Sequence, residues 1–341
     1  MNVFADDALC ARVCYSSGST RKKIMTYRIL LAGKQGQVGA ELNTMLPRLG
    51  ELSAFDRETL DLTKPAQIRE VIERARPQVI VNAAAYTAVD MAEKEAGLAR
   101  AINTDAPAVM AEETKKCGAL LVHYSTDYVF DGCKNSPYQE DHRTNPINEY
   151  GRSKLGGEAA IRESGAAHLI LRTAWVYGTR GRNFLLTILR LATEREELRV
   201  VNDQFGAPTW CRAIAAGTTA IVEKALQLSQ DGDWKMCGTY HLTAGGVTTW
   251  HDFVVKILEE ARTIPPRTPW FARATEGKPL VTRRVTPITA AEYPTPARRP
   301  AYSVLSNLRL QQAFGVILPG WQEQLHSAFV DTPAKATSAE W

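Results

Sequence analysis

The chain has 341 residues, a net charge of +4 and an ordinary balance of apolar and charged side chains. That length buries an ample core in one large domain or two smaller ones. So small a charge, with no Lys/Arg block, argues against nucleic acid and anionic membrane as partners, and no run of about eighteen apolar residues is present to span a bilayer.

Residues 1–24 read as a poorly ordered extension, or as an upstream start codon choice; they show no secretory h-region. The six cysteines, Cys10, Cys14, Cys117, Cys133, Cys211 and Cys237, are scattered. Cys10 and Cys14 lack the second Cys or His pair that a metal site needs. Reduced thiols and a cytoplasmic location are expected, with no metal-ligating set.

Residues 27–32 (YRILLA) form a short apolar run, as a buried parallel strand does. Gly33-Lys34-Gln35-Gly36-Gln37-Val38-Gly39 follows and opens a helical pattern. Gly33 permits the tight turn, Gly36 lets backbone approach a pyrophosphate at a helix N-terminus, and Gly39 allows close helix–strand packing. The spacing is G-x-x-G-x-x-G, so its position between strand and helix carries more weight than the glycines alone. A second strand, 51–56, ends on Asp56, roughly twenty residues past the loop, where an acid would bind the adenosine ribose 2′-OH. The adjacent Arg57 would favour a 2′-phosphate instead. NADPH and NADH both stay open. Asp61 and Leu62 either approach the adenine or cap the helix near Pro65.

A third strand, 78–81, runs into Asn82-Ala83-Ala84-Ala85-Tyr86, whose small residues let backbone pass close to a ligand. Residues 92–117 read as one long helix, with Asn103 marking a kink or a polar role because Asn is a poor mid-helix residue. The fourth strand, 119–125, leads into Ser125-Thr126-Asp127-Tyr128. A helix over 150–163 starts on Tyr150, and a strand over 169–173 ends on Thr173. Strands and helices alternating at these lengths mean a parallel, doubly wound α/β sheet. The strand ends converge, so Gly36, Asp56, Ala84, Thr126 and Thr173 should share one crevice.

Tyr150 and Lys154 lie four apart and so share a helix face. A free phenol has a pKa of about 10, and a nearby ammonium favours its ionised form. Such a Tyr can protonate a carbonyl oxygen while a hydride reaches the carbon. Thr126 would hydrogen-bond the same oxygen. A Tyr–Lys pair on a solvated helix face is the plainer alternative.

Past residue 175 the pattern changes. Helices are predicted over 184–196, 214–228, 250–261, 305–314 and 321–329, with short strands at 198–201 and 239–242. Residues 263–300 are rich in Pro, Arg and Thr and show little periodicity. The expected division is a dinucleotide-binding domain over 25–175, to which later segments return, and a mostly substrate-binding domain over 176–341.

The ordered motifs GKQGQVGAEL, VNAAAYTAVD, INTDAP, STDYVFDG, NEYGRSKLGGE, LRTAWVYG, VVNDQFGAPT and YPTPARRPAYSVLS cover residues 27 to about 330. Together they resemble the extended short-chain dehydrogenase/reductases, and within them the dTDP-4-dehydrorhamnose reductase family. The resemblance implies a Rossmann-like fold with a smaller mixed α/β substrate domain. It also implies NADPH- or NADH-dependent reduction of the C4 keto group of dTDP-4-dehydro-L-rhamnose to dTDP-L-rhamnose, a precursor of cell-surface polysaccharide. Thr126, Tyr150 and Lys154 become the catalytic trio, with Lys154 on the nicotinamide ribose. Gly33, Gly36, Gln37 and Val38 would line the pyrophosphate, and Ala83, Ala84 and Tyr86 the cofactor backbone, with Asn103 and Thr173 nearby. Asp127, Tyr128, Trp175 and Arg299 would meet the sugar nucleotide. Some members bind Mg2+ at a dimer interface through three acids. Here Glu41 matches the first, Arg212 stands at the second and Asp331 is offered for the third. The expectation is either no Mg2+ or a different contact in any homodimer. A non-catalytic regulatory subunit of the methionine adenosyltransferase type, and a nucleotide-sugar epimerase or dehydratase, stay open as alternatives.

Overall fold

The computed structural model describes residues 27–229, 233–263 and 268–330. The readings made for residues 1–24, for the Cys10–Cys14 pair and for Asp331 lie outside the described residues.

The first half alternates as expected: β1 (Tyr27–Ala32), α1 (Gln37–Met45), β2 (Gly50–Phe55), α2 (Pro65–Ala75), β3 (Val79–Asn82), α3 (Val89–Ala92), α4 (Ala96–Arg100), α5 (Ala106–Cys117), β4 (Leu120–Thr126), α6 (Glu149–Ser164) and β5 (His168–Thr173). The second half holds β6 (Val176–Tyr177), α7 (Phe184–Glu194), β7 (Glu197–Val201), β8 (Phe205–Gly206), β9 (Thr209–Trp210), α8 (Cys211–Leu228), β10 (Gly238–His241), β11 (Thr248–Thr249), α9 (Trp250–Thr263), α10 (Pro269–Thr275), β12 (Arg284–Ile288), α11 (Leu308–Phe314) and α12 (Trp321–Val330).

Six strands form one parallel sheet in the order β10-β5-β4-β3-β1-β2. Every residue of β3 and β4 is buried, because helices cover both faces. Alternate side chains of β1 serve opposite layers. Ile29 and Leu31 pack with Leu42 of α1, Ile214 and Val222 of α8 and Phe314 of α11. Leu30 packs with Ile68 and Ile72 of α2, Met110 of α5 and Ile161 of α6. The strand order reverses direction between β1 and β3, which opens a crevice at their C-terminal ends. β10 and α8, from beyond residue 175, belong to this body. A second core, rich in aromatics, joins α7, α9, α10 and α12 through Phe253, Trp270, Phe271, Trp321 and Phe329.

Two sequence readings change. The helix read over 92–117 is broken into α4, a π-helical turn at Ala101–Asp105, and α5. The cause is Asn103, fully buried, whose amide accepts from Tyr86 N at 2.9 Å and donates to Tyr86 O and Ser153 Oγ, each at 3.0 Å. The stretch read as irregular over 263–300 contains α10 and β12. β12 pairs in parallel with β7, a distant partner that local periodicity cannot reveal, and its Pro287 fits only an edge strand.

Candidate active site

The cradle after β1 is built by exclusion of side chains. Gly33 takes φ +91°, and a Cβ there would lie 2.7 Å from Ala84 N. A Cβ on Gly39 would overlap the Gly33 carbonyl. Gly36 caps α1 in an extended conformation with no side-chain hydrogen bond to the helix, which leaves the first N–H groups of α1 for an anion. Gln37 Oε1 is buried there without a partner among the described residues, while Val38 packs into both cores. Ala83 N donates to Ala32 O at 3.0 Å, which fixes the Ala83–Ala84 backbone against Gly33. A cradle that any Cβ would fill, at a bare helix N-terminus, fits a dinucleotide pyrophosphate.

Asp56 is already engaged. Its Oδ1 accepts from Glu58 N (3.2 Å), Thr59 N (3.1 Å) and Thr59 Oγ1 (2.8 Å). Its Oδ2 accepts from Gln35 Nε2 at 3.1 Å and pairs with Lys34 Nζ at 3.2 Å. The Thr59 hydroxyl is the largest reason its pKa falls to about 2. Arg57 is exposed beside it. Asp61 accepts from Thr63 N and Oγ1 at 3.0 and 2.7 Å, and Leu62 is buried in the α2-side core. Asp61 therefore shapes the turn before α2 without capping it: the N-cap of that helix is Lys64, with no side-chain cap bond. Tyr86 holds its segment by backbone bonds to Asn103, and its hydroxyl donates to Glu95 at 2.7 Å.

The residues read as catalytic lie where β4 and β5 finish. Thr126 and Thr173 are register partners, and Thr173 Oγ1 is buried without a partner among the described residues. Asn148 caps α6 by accepting from Gly151 N at 2.7 Å, which sets Tyr150 in the first turn. The Tyr150 hydroxyl faces the Thr126 hydroxyl, which favours its ionised form, but burial is the larger effect and pushes it up to about 12. Tyr128 packs edge-on against Tyr150 with ring centroids 5.6 Å apart. A Cβ on Gly151 would collide with the Tyr128 carbonyl, so glycine is what lets α6 approach this turn.

Lys154 is one turn along α6 and 2% exposed. Burial pushes its pKa down to about 8, although Glu158 pulls the other way. Lys154 is not among the groups that set the Tyr150 pKa, contrary to the sequence expectation of an ammonium-acidified phenol. The reason is geometric: its Nζ sits 3.3 Å from His123 Nε2. His123 Nδ1 in turn is 3.1 Å from Asn82 Nδ2, and Asn82 Oδ1 accepts from Ala84 N at 3.2 Å. The Ala84 bond turns the Asn82 NH2 toward His123, so a neutral His123 carries its proton on Nε2. Two donors cannot share the Lys154–His123 contact. His123 and Asn82 were missed from sequence. Their only signal was a histidine within the run that leads to Ser125 and an asparagine just past the strand read over 78–81.

The far wall is aromatic. Trp175, at φ +48°, stacks on Trp250 with centroids 3.5 Å apart and planes 3° from parallel. Gly206 is needed because a Cβ there would enter the Trp175 ring. Arg299 grips Asp90, at 3.2 Å through Nη1 and 2.8 Å through Nη2, so its fork is committed rather than open to a diphosphate. Glu41 is 6% exposed and pairs with Arg212 at 2.9 Å and Arg180 at 3.6 Å. No cluster of three or more metal-ligating acids, His or Cys occurs among the described residues, nor any helix long and apolar enough to cross a membrane.

Residues 27–333 match the model of the RmlD substrate binding domain family. The chain is 48% identical over 295 residues to the dTDP-4-dehydrorhamnose reductase of Burkholderia thailandensis, covering 86% of this chain and 95% of that protein. It is 45% identical over 298 residues to the Escherichia coli K12 protein of the same name, covering 86% and 94%. A crystal structure of dTDP-4-dehydrorhamnose reductase from Bacillus anthracis in complex with NADP superposes with a TM-score of 0.77 at 35% identity, covering 90% of this chain and all of that one. The chain belongs to the dTDP-4-dehydrorhamnose reductase family, with the Rossmann-like α/β fold that the sheet shows.

Proposed function

We propose that this protein reduces the C4 keto group of dTDP-4-dehydro-L-rhamnose to dTDP-L-rhamnose with NADPH or NADH. One observation carries the reading: Thr126, toward which the Tyr150 hydroxyl turns, ends β4 at the same edge of the parallel sheet as the glycine cradle that follows β1. The cofactor, when bound, supplies the hydride. The chain does the rest. Gly33, Gly36, Gln37, Val38, Ala83 and Ala84 seat the pyrophosphate against α1. Lys34 and Arg57 stand by the adenosine ribose, with Asp56 held by Lys34, Gln35 and the turn. Tyr150, kept protonated by burial, gives its proton to the C4 oxygen as that oxygen gains charge. Thr126 hydrogen-bonds the same oxygen, and Lys154 holds the nicotinamide ribose. Trp175, Asp127 and Tyr128 border the sugar, and Arg299 reaches its diphosphate only by releasing Asp90. Tyr86, Asn103 and Thr173 fix or line the cofactor side.

The lobe built on α7, α9, α10 and α12 is read as the substrate-binding domain, and a cytoplasmic location suits the substrate. If two copies associate, Glu41 enters the contact already neutralised by Arg212 and Arg180, and no Mg2+ is needed there.

The test is direct. Purified protein is mixed with dTDP-4-dehydro-L-rhamnose and NADPH, absorbance of the reduced cofactor is followed, and the product is weighed. A sugar-dependent loss of absorbance, with a product heavier by two hydrogens, is expected. A product that has lost water or kept its mass points to a dehydratase or epimerase. No consumption at all points to a binding subunit.

A further inference from the structure

Thr126 stands at the end of β4 with one hydroxyl proton and two lone pairs to share. The Tyr128 N–H donates into one lone pair at 3.2 Å. The Asp127 carboxyl lies 3.0 Å away on another side, and the Tyr150 hydroxyl faces Thr126 from α6. Only one of those two neighbours can receive the Thr126 proton.

Asp127 is 1% exposed. The groups that bear on it are Thr126 from β4, the amides of the turn at 127–128, and Ser303, whose N–H donates to Phe205 O at 2.8 Å and whose hydroxyl lies 3.4 Å from the same oxygen. Ser303 is close enough to favour the charged form, yet no well-aligned hydrogen bond reaches Asp127 Oδ2. Its charge also opposes ionisation of Tyr150.

Resting on the reductase reading above, we propose that Asp127 is a positioning residue that sets the direction of the Thr126 hydroxyl. As a neutral acid it donates to the second Thr126 lone pair. The Thr126 proton then points at the Tyr150 oxygen and the substrate carbonyl, and the Tyr150 proton points outward to the substrate. As a carboxylate it takes the Thr126 proton. Thr126 then offers only a lone pair, and Tyr150 is drawn to donate inward. The neutral form is therefore the working one. Burial raises the Asp127 pKa to about 6, which brings the switch into an accessible range.

The sign follows. Turnover is highest below this titration and falls as pH rises through it. The loss of a preorganised donor gives a fall of up to about a hundredfold in kcat, with a smaller change in KM for the sugar. The experiment compares kcat–pH profiles from pH 5 to 8.5 for wild type, D127N, D127L and S303A. Thermal melting and cofactor titration serve as checks of folding. Asn and Leu both remove the negative charge, so whatever turnover each retains should show no limb between pH 5 and 8.5. Ser303→Ala removes a group that favours the carboxylate, so its limb should move to higher pH. The proposal is overturned if wild type shows no limb or if the limb persists in D127N or D127L. It is equally overturned if both are folded, cofactor-binding and inactive at every pH, or if the S303A limb stays or moves down. A wild type that reduces no dTDP-4-dehydro-L-rhamnose overturns the reductase reading itself, a separate result.

Discussion

The two ends of the crevice handle their polar groups in opposite ways. At the end proposed for the adenosine, Asp56 is saturated by Thr59, Glu58, Gln35 and Lys34 within the chain itself. At the reacting end Asp127 Oδ2 and Thr173 Oγ1 are buried with no hydrogen-bond partner among the described residues. A buried polar atom left unpaired costs about 1–3 kcal/mol, so groups held this way mark where ligand atoms are to come. The adenosine end is a finished mould. The reacting end keeps its capacity in reserve, and its side chains come from β4, β5, α6 and segments more than a hundred residues further on.

If that contrast is right, damage at the reacting end should fall on turnover and damage at the cradle on cofactor handling. The largest effect is expected for Tyr150→Phe. Its kcat should fall by about 10²–10⁴-fold, the usual weight of a general acid, with the cofactor dissociation constant, read by fluorescence, within about twofold of wild type. An equal loss of cofactor affinity would break the separation. Asn103→Ala comes next. It removes three bonds, two to Tyr86 and a buried one to Ser153 of α6, so stability should drop by about 2 kcal/mol; an unchanged melting temperature would show that the π-turn is held by something else. Gly206→Ala pushes a methyl group into the Trp175 ring. KM for the sugar should rise about tenfold, from misplacement of a binding wall, while cofactor affinity holds. The smallest change is expected for Lys34→Ala. Loss of one partly exposed charge contact to Asp56 should shift the NADPH/NADH preference toward NADH by no more than about fivefold, read as the ratio of the two KM values.

The same contrast explains what the sequence could tell. The cradle was legible because strand, glycine turn and helix are contiguous between Tyr27 and Met45, and each glycine answers a local steric demand. The doubly wound sheet was legible for a like reason: β1, β3, β4 and β5 open on or contain apolar runs of strand length, with helical patterns between them. Tyr150 and Lys154 were legible as a pair because four residues on a helix is a fixed geometry. What they do to each other was not. The ammonium expected to acidify Tyr150 is turned toward His123, a residue thirty-one positions upstream, and burial instead makes the phenol a weaker acid. No local pattern announces that His123 and Asn82 meet across neighbouring strands, although their register partnership makes it inevitable once β3 and β4 pair. Arg299 teaches the same lesson. Its sequence context suggests an open cation, and its fork is filled by Asp90, 209 positions away. β12 escaped detection because its partner, β7, lies across the second lobe.

The central claim is that this crevice brings a hydride to carbon C4 of the sugar while the Tyr150–Thr126 pair protonates the oxygen. The most direct measurement uses NADPH carrying deuterium at both C4 positions of the nicotinamide. A product containing one deuterium, bound at C4 of the rhamnose ring, is the predicted result. A product without deuterium, or with deuterium at any other ring carbon, would contradict it.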